Sequence, residues 1–161
     1  MTNATESASA GAQIRILLKA EQYRSAGTED ANARSLPVFE ALVEADQYEA
    51  LHRNRGEYAL ALMARKKTDA EGAKADWMRA LDLLNAAIRI REQSHEPNWH
   101  QYVFAHAVCR IHLDEQLKST PEAQSSIRAD LDKSGDVSEI QKKLIDPEDV
   151  VTKWEELNPK G

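Results

Sequence analysis

The chain has 161 residues, 42% hydrophobic and 30% charged, with a formal net charge of −6. That length and balance suit one soluble domain with a real core. The acid excess and the lack of any basic stripe argue against a nucleic-acid partner, and the single cysteine, Cys109, excludes an intrachain disulfide.

The opening "MTNATESASAGA" has neither the basic start nor the apolar stretch of a signal peptide. Its Ser, Thr, Ala and Gly content predicts a disordered tail over residues 1–11. Helical periodicity then begins. A first helix is expected from about Ala12 to Ser25, carrying Ile14, Leu17, Leu18 and Tyr23, and "SAGTEDANA" breaks it. A second runs from Ser35 as N-cap to about Ala45, with Pro37 in its first turn. A third runs from about Gln47 to Lys67, and a fourth from about Lys74 to Gln93. A fifth covers about Asn98 to Leu117. Thr120 as cap, Pro121 at the first position and Glu122 start a sixth, which stops near Gly135. A short seventh spans about Val137 to Ile145, and Asp146 with Pro147 predicts the start of an eighth. Runs rich in Val, Ile and Thr are missing, so no strand is expected and the fold class is all-α. Charge shifts along the chain: residues 1–80 carry a net −1 and residues 81–161 a net −5.

The helices show a loose repeat. Phe39, Leu84 and Ile127 hold equivalent places in the second, fourth and sixth helices, spaced by 45 and 43 positions. Gly56 and Val103 align in the third and fifth, 47 apart. Ala80-x3-Leu84-x2-Ala87, "LHRNRGEYA" from Leu51 to Ala59, and Trp99-x2-Tyr102-Val103-x2-His106 resemble the tetratricopeptide repeat. "AIRIREQSHEPNW", Ala87 to Trp99, is similar to the longer repeats of the kinesin-light-chain type. Val103 and Asp130 depart from the family's small residues, and His106 stands where an aromatic is usual. The resemblance implies a short right-handed αα-hairpin solenoid, with about three hairpins in a repeat domain over residues 12–135 and capping helices over 136–161. It implies that Gly56 lets paired helices approach closely. It also implies a non-enzymatic protein–protein interaction module, an adaptor, scaffold or chaperone binding a peptide or helix in a groove.

Carried over position by position, Arg53, Asn54, Glu57 and Leu60 on the third helix line that groove, with His100 and Phe104 on the fifth. Asn54 matches a position that grips a peptide backbone or carboxylate in some relatives. Gln101 stands where a clamp's cation is needed, which argues against carboxylate clamping. Burial of Phe104 against another helix is an equal alternative to its exposure in the groove.

The competing reading is a helical small-ligand or metal binder built on His106 and Cys109. Helical geometry weighs against it: His100, His106 and His112 point about 120° apart, and one helix cannot aim them at one ion. Cys109 lies mid-helix, without the helix N-terminus that would activate a thiol. The glycines form no phosphate loop, and no cofactor is expected. "ARKK", Ala64 to Lys67, reads as a solvated helix end. Val150, Val151, Trp154 and Leu157 make an apolar stripe that either caps the stack or docks a partner. The longest uncharged apolar run, Tyr58 to Ala64, is too short to span a bilayer, so a cytoplasmic protein without membrane contact is expected.

Overall fold

The computed structural model describes residues 2–26, 28–46, 51–117 and 120–160. Those residues form eight helices and no strand. They are α1 (Thr2–Ser25), α2 (Glu29–Ala45), α3 (His52–Ala64), α4 (Ala70–Gln93), α5 (His100–Leu117), α6 (Pro121–Lys133), α7 (Glu139–Ile145) and α8 (Val150–Leu157).

Local chemistry sets most of the starts. Thr28, Asp69, Thr120 and Ser138 each accept a backbone N–H from the first turn of α2, α4, α6 and α7. Each such cap contributes about 1 kcal/mol. Pro121 opens α6, as its missing N–H allows.

The starts of α1, α2, α4 and α8 differ by several residues from the sequence reading: α4 begins at Ala70, capped by Asp69, rather than near Lys74, and the Gln47 start expected for α3 lies outside the described residues. α1 already runs from Thr2, through the stretch expected to be a tail; its Ala-rich composition favours helix. α2 starts at Glu29, capped by Thr28, with Glu29 and Asp30 in its first turn. Ser35 is therefore no cap but a fully buried interior residue, whose Oγ donates to the Asn32 carbonyl at 2.6 Å. α8 begins at Val150 rather than at Pro147. Asp146 ends α7, yet its carboxylate still serves α8: one oxygen accepts from Val150 N at 2.9 Å and the other from Val151 N at 3.1 Å. The turn between them passes through Asp149 at φ 54°, the left-handed region an aspartate tolerates better than most.

Consecutive helices from α1 to α6 pack on one another. α3 is central: it touches α1, α2, α4, α5 and α7, and every residue from Asn54 to Met63 is buried. Phe39, Leu84 and Ile127, the matched positions of the repeat pattern, are 0%, 0% and 1% exposed. α7 lies on both α3 and α5, and its Ile145 joins Leu60, Phe104 and Val137 in the main core. α8 packs Trp154 against Ala107, Ile111 and Ile127 in a second cluster. Arg128 stacks over that indole at 5.4 Å and donates to the Asn158 carbonyl at 2.5 Å, tying α8 to α6. The α8 stripe thus turns inward at Trp154, while Leu157 stays 82% exposed.

Candidate functional site

The α3–α5 face is built on charged side chains held by neighbouring helices. Glu57 is 2% exposed. Its carboxylate accepts from Arg24 of α1 at 2.7 Å and from the Tyr102 hydroxyl of α5 at 2.9 Å. Burial, with the Glu57 carboxylate beside it, pushes the Tyr102 phenol well above its ordinary pKa, so it stays a donor. Arg53 reaches Glu21 of α1 with two nitrogens, at 2.5 and 2.6 Å, and lies 5.2 Å over the Trp99 ring. Burial raises the pKa of Glu21 despite that bond. His52 meets Trp99 and Tyr102 edge-on, at 5.1 and 5.9 Å between ring centroids. Burial, reinforced by the Arg91 cation, lowers its pKa to about 4, so it is neutral at neutral pH.

The Tyr102 ring sits this close because of Gly56. A Cβ built there meets the ring at 2.3 Å. The close approach implied by the resemblance is present, but its partner is α5 rather than the following helix α4.

Of the six predicted groove residues, four are buried. Asn54 is 1% exposed, Glu57 2%, Leu60 5% and Phe104 4%. An open groove at these positions is corrected for two reasons. Leu60 and Phe104 share a core cluster with Val137 and Ile145, so α7 occupies the face they were expected to offer. Glu57 is committed to Arg24 and Tyr102. Asn54 lies within the core, where neither amide atom has a hydrogen-bond partner, so it is not placed to grip a peptide. Arg53 and His100 keep accessible side chains, 36% and 46% exposed. His100 faces Asp136 at 3.5 Å, and Gln101 accepts from Gln141 of α7 at 3.2 Å.

His106 and Cys109 are both held within the packing of α5. His106 Nδ1 bonds Asp130 of α6, and Nε2 lies 2.7 Å from Asn85 Oδ1 of α4. Both ring nitrogens are therefore engaged in joining α4, α5 and α6. Cys109 is 0% exposed, and burial pushes its thiol pKa far above the ordinary range. Among the described residues no group of three or more His, Cys, Asp or Glu could hold a metal ion. Sequence reasoning noted His106 and Asp130 as separate departures from the repeat pattern; the structure shows that they pair with each other.

"ARKK" is more than a solvated helix end. Arg65 and Lys67 both donate to Asp76 of α4, Lys67 at 3.0 Å. Burial alone would raise the Asp76 pKa, but these two donors outweigh it and hold the carboxyl below its usual value. Lys67 also lies 4.7 Å over Trp77, which stacks on His112 at 3.9 Å.

Two concavities flank this framework. One, about 630 Å³, lies between α7 and α8 and is lined by Lys142, Lys143, Asp146 and Glu155, with Phe104 also at its wall. The other, about 360 Å³, lies on α1 against Val38 of α2. Among the described residues no helix is long and apolar enough to cross a membrane. No family model, curated protein or solved structure matches this chain.

Proposed function

We propose that this chain is a non-enzymatic protein-interaction module, a short tetratricopeptide-like solenoid whose α3–α5 face receives a helix or peptide. The observation that carries this reading is the seat of α7. A short helix lies across α3 and α5, its Ile145 meeting Leu60 and Phe104 in one apolar cluster. A helix docks in a groove through apolar anchors, and Ile145 is the buried anchor of α7, while its Ile140 and Leu144 stay exposed. The repeat reading is supported by the matched burial of Phe39, Leu84 and Ile127 on alternate helices. The non-enzymatic reading is supported by the engagement of His106 and the burial of Cys109.

On this reading α7 fills the apolar part of the groove, and a partner meets its accessible margin. His100 and Arg53, the latter through the guanidinium nitrogen not bonded to Glu21, sit there and supply donors to an acidic or carbonyl-rich segment. Phe104 becomes an anchor only for a partner that displaces α7. The test is affinity capture from native lysate with the wild type, Arg53→Glu and His100→Glu. The reading expects a specific protein retained by the wild type and lost from both variants. Retention that ignores both substitutions would refute it.

The metal-binding alternative is tested separately, by metal analysis of the purified protein and thermal unfolding with and without chelator. Stoichiometric metal lost together with stability would restore it.

A further inference from the structure

The seat of α7 on α3 and α5 is apolar at its two ends and open between them. Val137, just before the helix, and Ile145, at its end, are buried. Between them Ile140 and Leu144 are 75% and 53% exposed, so two of the three large apolar side chains of α7 face solvent. The polar ties are His100 with Asp136 at 3.5 Å and Gln141 with Gln101 at 3.2 Å. Both lie in solvent, where such pairs contribute little.

α8 is anchored without help from that seat. Trp154 packs against Ala107, Ile111 and Ile127, and Asn158 accepts from Arg128 and, at 2.8 Å, from Gln124 of α6. Asp146 belongs with α8, because its carboxylate caps Val150 and Val151. The segment between the two docked parts, Gly135 to Ile145, has 11 residues. Extended, it reaches roughly 35 Å, against about 10 Å for the helix it forms. It therefore has the slack to leave α3 and α5 with both ends still held. The cavity of about 630 Å³ between α7 and α8 already reaches Phe104, which gives the seat a way in from solvent.

We propose that α7 is an autoinhibitory strap. It lifts from α3 and α5 while α8 stays docked, and the Leu60–Phe104 seat is open to a partner's helix only while it is lifted. Short elements with few buried apolar contacts are the first to open in a fold. A partner helix with several spaced apolar anchors takes the seat with more contact than Val137 and Ile145 give, and so holds the strap open. This rests on reading α3 and α5 as a receiving face and adds that access to the face is regulated from within the chain.

Two measurements test the strap, and neither needs a partner. The first is native-state hydrogen exchange on the wild type. Amides of Lys142 to Ile145 should exchange at least about 100-fold faster than those of Asn54 to Met63 in α3, and those of Lys153 to Leu157 in α8 should be slower than those of α7. The second is thiol labelling of Leu60→Cys, its fold verified by circular dichroism, with the buried Cys109 as reference in the same molecule. Position 60 should label at least about 100-fold faster than Cys109, because lifting α7 bares the first and only unfolding bares the second. Adding Ile145→Asp, which removes the anchor of the strap, should bring position 60 towards the rate of a free thiol. Labelling at 60 no faster than at Cys109 overturns the strap. So do α7 amides as protected as those of α3, or α7 and α8 exchanging as one unit. These outcomes judge the strap alone; the receiving face is judged by capture with Arg53→Glu and His100→Glu.

Discussion

Gly56→Ala separates tertiary packing from helix propensity more sharply than any other single change. Inside an exposed helix, alanine is better than glycine by about 1 kcal/mol. At Gly56 the new methyl lands 2.3 Å from Cε2 and Cζ of Tyr102. Comfortable carbon contacts need roughly 3.5–4.0 Å, so the ring must retreat by more than about 1 Å. It has little room: Tyr102 is 1% exposed, bonded to Glu57 at 2.9 Å, and packed against His52 and Trp99. Overpacking costs about 1–3 kcal/mol, and weakening a hydrogen bond to a buried carboxylate about 1.5–3 kcal/mol. After the propensity gain the net is a loss of about 1.5–5 kcal/mol. Urea unfolding followed by circular dichroism should show the midpoint falling with an unchanged slope. Gly11→Ala is the control: the nearest atom to its Cβ is Arg15 Nη1 at 3.8 Å, and a small gain is expected. In a Tyr102→Ala background the effect of Gly56→Ala should change sign. A neutral or stabilising Gly56→Ala in the wild-type background would refute the reasoning.

Other outcomes follow from the same contacts. His52 has a folded pKa lowered from 6.5 to about 4, so the unfolded chain takes up its proton first. Stability should therefore fall as pH drops from 6.5 to 4, by about 1–2 kcal/mol after allowing for solvent screening at a partly exposed ring. His52→Phe should flatten that part of the pH–stability curve, and an unchanged slope would count against the assignment. Cys109, buried and with its thiol pKa raised, should react with a thiol reagent only as fast as the chain unfolds; rapid native-state labelling would contradict its placement. A double-mutant cycle on His106→Ala and Asp130→Ala should give a coupling of about 0.5–3 kcal/mol, whereas additive losses would mean the pair is not formed.

What the sequence disclosed was local. Thr120 and Pro121 announce α6 because cap and first-turn chemistry need only adjacent residues. The same logic misplaced the α8 start: Asp146 and Pro147 look like a cap and first residue, but the Asp146 carboxylate reaches forward to Val150 and Val151 instead. Thr28 lay inside "SAGTEDANA", which reads as a break, so the earlier start of α2 went unseen. Burial of Leu60 was not legible, and burial of Phe104 was legible only as one of two alternatives. Each depends on α7 returning across α3 and α5 from more than thirty positions away, and no periodicity within α3 or α5 encodes that. His106 and Asp130 were the partial case. Each broke the repeat pattern alone, and only the approach of α6 to α5 shows one departure answering the other.

A photo-crosslinking amino acid placed at Arg53 or His100, with Ser125 on the exposed side of α6 as control, tests the proposed interaction function most directly. Irradiation in native lysate is expected to join one protein species to the probes at 53 and 100 and none to the probe at 125. Adducts that are absent, or identical at all three positions, would contradict a binding face on α3 and α5.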